Sequence, residues 1–409
     1  MTALAIAFGA TPSSAQPDHT LVGFGLDRPL VRAWHLTRAE LGIPDTVSLG
    51  ELFATTDHRA YFKTDCNTSG CLDHPQQWVY GIDLSTGRRL FTPLRLDGAG
   101  TNLSCHQTGD TTAACLDDYE PDQIWALNLA RGTISYRGKT SLDGRPSGPD
   151  RYQFQVAGNH LIAGQDERGL WGIGPRGERT WFAPGNGWPV TTDSTVLTQI
   201  PKPDDPTWRV FSVIDGTELT PTPPRGTTLR RATTYPDGFA YEYDSADGIG
   251  VLFYDTAGKL LHRQPLPGYN LLDGIGMPIA FDQKIFHVFS ATGQQILEIP
   301  AGRLGYGIAP QFRNIGDQLW YRASDQWQRW DLSTGKPVPT CPLRGDYASF
   351  ASDGRVALLK NGTDAVATDL ATCKQLWRMP PGGYGQLEQI GPALVTHTSS
   401  EIVGLGPPS

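Results

Sequence analysis

The chain has 409 residues, 34 Lys and Arg against 42 Asp and Glu, and a formal net charge of −8. That balance argues against nucleic acid as the main partner, since phosphate recognition needs a basic surface. No run of about 18 apolar residues exists to span a bilayer as a helix. With 47 Gly and 32 Pro, the composition favours many turns and few helices in a chain long enough to bury a large core.

In chain order, residues 1–16 (MTALAIAFGATPSSAQ) read as a remnant of a signal peptide or anchor. An apolar stretch precedes small residues at a cleavage-like Ser14-Ala15, although the usual basic start is missing. Residues 17–28 read as a linker and 29–409 as one domain. The run from Leu30 to Leu36 has the character of an outer strand, and Leu36 to Leu41 is the one weakly helical stretch.

From there a short turn recurs. It appears as IDLSTGRRLF at Ile82, ALNLARGTISY at Ala126, GIGPRGERTWF at Gly172, VIDGTEL at Val213 and FYDTAGKLL at Phe253. It returns as FSATGQQIL at Phe289, WDLSTGKPV at Trp330, TDLATCKQLW at Thr368 and a fading EIVGLGPP at Glu401. A period of roughly 35–46 residues is the mark of a repeat architecture, with propeller blades as its all-β form. Each turn joins two runs rich in β-branched and aromatic residues. Between them Asp or Asn and Ser satisfy backbone groups, and Gly accepts positive φ. This is hairpin chemistry. A further apolar run lies one strand earlier, and a weaker inner one completes a four-stranded blade. The expected fold is an all-β propeller, closed by pairing of the N-terminal strand with the C-terminal blade. The anchors number nine, but the short spacing around Ser290 suggests that one is spurious. Eight blades are expected, with seven and nine as alternatives.

The pattern [D/N]-L-x-T-G before a Trp- or Phe-bearing strand resembles the repeats of the PQQ-type β-propellers. Asp83-Leu84-Ser85-Thr86-Gly87, Asp331-Leu332-Ser333-Thr334-Gly335 and Asp369-Leu370-Ala371-Thr372 carry the match. Asn128-Leu129-Ala130-Arg131-Gly132 and Asp255-Thr256-Ala257-Gly258 match in part. That group holds quinoprotein dehydrogenases and outer-membrane assembly lipoproteins of the BamB type. The resemblance implies the fold, and usually eight blades. Quinoprotein members carry adjacent cysteines beside the cofactor. This chain has none, so neither PQQ nor any other cofactor is expected.

Six cysteines are present. The nearest pairing is Cys66 with Cys71, Cys105 with Cys115 and Cys341 with Cys373, one of 15 connectivities. Disulfides imply an oxidising, extracytoplasmic compartment. Gly172-Ile-Gly-Pro-Arg-Gly177 fits G-x-G-x-x-G, but a strand follows where a phosphate site needs a helix. His35, His160, His262 and His287 fall in or beside strands and read as structural. Trp78, Trp125, Trp171 and Trp208 fall on third strands, and Trp181 and Trp377 on fourth strands. All six read as packing between blades. Trp188 and Trp327 lie off that pattern and are the candidates for exposure.

Loops between second and third strands are acidic, while the repeat turns carry Arg88, Arg89, Arg131, Arg176, Arg179, Lys259, Lys336 and Lys374. A propeller places these two classes on opposite faces. The candidate docking residues are Asp117, Asp118, Glu120, Asp122, Asp204, Asp205, Asp244 and Asp247, facing a partner that carries basic charge. Ca2+ at Asp117 to Asp122 is disfavoured, because the spacing fits no calcium loop. The expected function is non-enzymatic binding of a protein or cell-envelope component by a monomer. The alternatives are a divergent PQQ-dependent quinoprotein, or another propeller enzyme with its site in the central funnel. A carbohydrate binder using Trp188 and Trp327 is the third reading.

Overall fold

The repeat turn is built by its aspartate. Asp83 Oδ1 accepts the Ser85 N–H at 3.0 Å, the Thr86 N–H at 3.0 Å and both of their hydroxyls. Gly87 then adopts φ 69° and returns its N–H to the Asp83 carbonyl at 2.8 Å. Asp331 and Asp369 repeat this capping with Ser333, Thr334, Ala371 and Thr372. Bonds from the Ser333 hydroxyl and then the Thr334 N–H hold Asp331 below the usual carboxylate range.

The structure is a computed structural model. It describes residues 21–66, 76–100, 102–117, 122–142, 152–166, 168–200, 207–266, 270–272, 276–301, 311–315, 317–322, 327–339, 341, 343, 346–361, 364–379 and 386–408. The leader at 1–16, Cys71, Asp118, Glu120, Asp204 and Asp205 lie outside the described residues.

Among the described residues the strands form nine antiparallel sheets, eight of four strands and one of three. The blades span residues 48–96, 103–139, 153–183, 190–212, 227–265, 270–300, 311–338, 346–379 and 386–406. We number them 1 to 9 and letter their strands A to D from the axis outward. Blade 9 takes its D strand, Val31–Thr37, from the other end of the chain. Val31 pairs with Gly406 and Thr37 with Glu401. A short helix, Arg38–Leu41, follows behind a Thr37–Glu40 capping box and leads into blade 1. Blade 4 has three strands, and a lone Phe211–Glu218 bridge stands where its D strand belongs.

Nine blades replace the expected eight. The anchor at Ser290 is a true turn: Ser290 N–H donates to the Gln294 carbonyl at 2.8 Å, and Gly293 has φ 83°. Its spacing is short because the first two strands of blade 6, Asn270–Leu272 and Ile279–Phe281, have three residues each.

Nine apolar clusters make up the core, one at each junction between neighbouring blades. The junction of blades 9 and 1 joins Ile390, Val395 and Ile402 to Leu49, Phe62 and Tyr80. The turn glycines serve these junctions. A Cβ on Gly87 would stand 2.6 Å from the Trp34 ring, and one on Gly216 would stand 2.8 Å from Trp181. Trp34 Nε1 donates to the Leu84 carbonyl at 2.9 Å and Trp181 Nε1 to the Val213 carbonyl at 3.0 Å. Each indole, worth about 1.5–3 kcal/mol when buried like other large apolar side chains, thus seats on the turn of the next blade. Blade 8 has Cys373 at φ 61° where other turns have glycine. Cys373 is disulfide-bonded to Cys341, which follows the D strand of blade 7, with Cα atoms 5.1 Å apart. A covalent link stands there in place of the indole seat.

Candidate functional site

Strand alternation puts the A–B and C–D turns on one face and the B–C and D–A loops on the other. The Leu84 N–H reaches the His58 carbonyl at 2.7 Å, and the Leu370 N–H reaches Arg355 at 2.9 Å, tying each C–D turn to the A–B turn of its own blade. The face bearing the basic repeat turns therefore also carries Asp57, Asp110, Asp193, Asp237, Asp317 and Asp353 from the A–B turns. Its charge is mixed.

On the other face, Asp117 ends the B strand of blade 2, and Asp122 is exposed just before the C strand, Gln123–Asn128. Asp244 stands just before the end of the B strand of blade 5, Gly238–Ser245, and pairs with Arg230 at 2.7 Å, while Asp247 is exposed in the turn beyond it. The two pairs stand three blades apart, so the described candidates form separate stretches of the rim. Elsewhere on this face Asp364 is paired with Arg378, and Asp282 with His287 at 3.0 Å.

A denser group of titratable side chains lies between blades 9, 1 and 2. Lys63 is buried and its ammonium donates to the Leu103 carbonyl at 2.6 Å. It also meets Glu51 Oε1 at 3.0 Å and Asp65 Oδ1 at 3.5 Å. Burial raises Asp65, against the opposing pull of Lys63. In blade 9 His397 Nε2 stands 3.5 Å from Glu388. Burial pushes His397 down and Glu388 up, so the neutral forms gain in both. His106 is buried on the A strand of blade 2 beside Phe154, with no hydrogen-bond partner for either ring nitrogen among the described residues. Burial, aided by Lys63, pushes it down to about 4. Among the described residues no three His, Cys, Asp or Glu side chains are grouped to hold a metal ion.

Sequence reasoning passed over this group because its members lie on five strands of three blades. The one available signal was charge on inner strands. The aromatic expectations divide. Trp78, Trp125, Trp171, Trp181 and Trp377 are buried, and Trp188 is 56% exposed. Trp327 corrects the expectation: it is fully buried, edge-on to Trp320 at 6.5 Å in the junction of blades 7 and 8. It begins a C strand just as Trp78 stands near the start of its own, so the packing rule applied to it too. Gly174 and Gly177 sit in a repeat turn, followed by the strand Arg179–Ala183.

Cys105 and Cys115 are bonded directly across the A and B strands of blade 2. Cys66 is also disulfide-bonded. No helix among the described residues is long and apolar enough to cross a membrane.

Comparison with known proteins gives three findings. A family model described as a conjugation-associated 9-bladed beta-propeller domain matches residues 7–408. An uncharacterized protein of Mycolicibacterium smegmatis (strain MKD8) is 29% identical, over 86% of this chain and 78% of its own length. The crystal structure of BamB from Moraxella catarrhalis overlays with a TM-score of 0.42 at 11% identity, covering 92% of this chain and 98% of that one.

Proposed function

The chain belongs to the conjugation-associated nine-bladed β-propeller family, and from that premise we propose that it is a non-enzymatic binding propeller acting outside the cytoplasm. Its partner is a protein of a conjugation apparatus, docked on the face of the B–C loops. The observation that supports this most is the pair of disulfides, Cys105–Cys115 and Cys341–Cys373, together with exposed carboxylates such as Asp122 and Asp247 on that face. Disulfides persist in oxidising compartments, and rim charge sets association rate and partner choice. Asp117, Asp118, Glu120 and Asp122 on blade 2 form the proposed contact, with Asp204, Asp205, Asp244 and Asp247 as further candidates.

The test is affinity capture from envelope extract of conjugation-competent cells, using wild type and a variant with those four blade 2 residues changed to Asn or Gln. Wild type should retain a conjugation protein that salt releases, and the variant should lose it. Equal retention by both would remove the acidic loop from the interface.

A further inference from the structure

The outermost strands carry a charge pattern that the chain as a whole does not. Of the eight D strands, seven hold Arg or Lys and no acid, and the eighth, in blade 6, holds Glu298. The formal net charge of the chain is −8. Basic residues on edge strands deter edge-to-edge pairing between copies, and that accounts for the pattern on most blades. Blade 3 adds features which that role does not require.

Its D strand, Arg179–Ala183, borders an open cleft of about 640 Å³. Arg168, Trp171, Arg179, Thr180, Trp181 and Phe182 line it, and among the described residues no Asp or Glu does. Trp171 and Phe182 stand opposite each other on the C and D strands, with ring centroids 5.3 Å apart and planes at 42°. Trp171 is buried and also meets the Tyr152 ring at 6.2 Å, so it is held from behind, while Phe182 is 53% exposed. Arg168 is exposed just before the C strand, Gly169–Ile173, and makes no ion pair with a described residue. Glu178, in the adjoining turn, is folded back, its Oε2 accepting the Arg176 N–H at 2.8 Å. Among the described residues no strand adjoins the outer side of this D strand, whose first N–H, on Arg179, donates to Ser141 Oγ at 2.7 Å.

We propose that the outer edge of blade 3 binds an extended segment of a partner protein in which acidic residues flank an aromatic one. The backbone of that segment lies along the open edge, its ring packs on Phe182 and Trp171, and a carboxylate meets Arg168. Strand addition draws affinity from main-chain hydrogen bonds and specificity from side-chain pockets. A ring over Phe182 extends the tilted stack that Trp171 begins. A carboxylate on an arginine makes a charge-assisted, two-pronged hydrogen bond. A cleft with aromatic walls and a few polar groups suits a side chain that carries both kinds of surface next to each other. The site lies on the rim of blade 3, apart from the acidic loop of blade 2, and does not rest on the docking proposed above.

The probe is a fluorescein-labelled pentapeptide, Glu-Glu-Phe-Glu-Glu, compared by anisotropy with Lys-Lys-Phe-Lys-Lys and Glu-Glu-Ser-Glu-Glu. Wild type should bind the first about tenfold more tightly than either of the others, and high salt should weaken that binding. Arg168→Glu and Phe182→Thr lie at exposed positions, and each should weaken the first peptide about fivefold while keeping the wild-type melting temperature to within a few degrees. Should Phe182→Thr unfold, Arg168→Glu alone decides, since it has no described ion pair to lose. Equal affinity for the charge-reversed or the serine peptide overturns the proposal, and so does unchanged affinity in the Arg168→Glu protein. Indifference to millimolar peptide, with Arg168-dependent sedimentation on phosphatidylglycerol vesicles, assigns the cleft to a membrane surface and overturns it too. The acidic-loop variant used above leaves blade 3 intact and should bind the pentapeptide as wild type does, so failure of loop docking and failure of this site are read separately.

Discussion

His106 shows what one buried side chain does to the whole molecule's response to acid. The unfolded chain binds a proton on histidine near pH 6.5, whereas in the folded state burial, with Lys63 beside it, pushes His106 down to about 4. Its contribution is complete above about pH 6.5 and is lost as pH falls through the folded value. The shift corresponds to about 3 kcal/mol at most. Asp65 and Glu388, raised by burial, act with the opposite sign as they protonate. Wild type should therefore lose thermal stability between pH 7 and 4.5, and His106→Leu should flatten that loss. Parallel melting curves for both proteins across the window would show that His106 does not govern it.

At the scale of the element, the unit in blades 1 and 4 is a hairpin plus the indole that the preceding blade lends it. Gly87 needs its φ of 69° and also the space against Trp34. Gly87→Ala adds a left-handed strain of about 1–2 kcal/mol and displaces the indole. A loss of about 2–4 kcal/mol is expected in denaturant titration, against about 0.5 kcal/mol for an exposed surface change. A loss below about 1 kcal/mol would mean that Trp34 moves aside freely. This hairpin was legible in the amino acids because everything that makes it is local: Asp83, Ser85, Thr86 and Gly87 are consecutive or nearly so. The inner strands were not. In blades 4 and 6 they have two and three residues, too few to show an alternation. The inner strands could thus be assigned only once the sheets were in place. Blade number fell between the two. The anchors numbered nine, and the habit of the resembling family displaced that count. For the face opposite the docking loops, the C–D turns stood out by their motif and the A–B turns did not, so Asp57, Asp110 and Asp193 were missed as neighbours of the basic residues.

At the scale of the whole molecule, the core is divided among junctions, and each blade touches two others. The junction of blades 7 and 8 differs from the rest in holding a disulfide. Cys341→Ala with Cys373→Gly removes the link and gives the left-handed position back to glycine. Amide exchange should quicken in the strands Trp327–Asp331 and Asp364–Asp369, with far-ultraviolet circular dichroism unchanged. Global loss of sheet signal at room temperature would show instead that the ring depends on that one link.

The reason to expect local opening lies in the apolar clusters that join the remaining blades. In an open stack, a broken contact lets two halves diffuse apart. In a ring the other eight junctions still hold the separated surfaces face to face. Their effective concentration is in the millimolar range or above, as for partners joined by a short tether. A gap between two blades therefore recloses as an intramolecular event, and the molecule behaves as a clasp that breathes at one seam at a time.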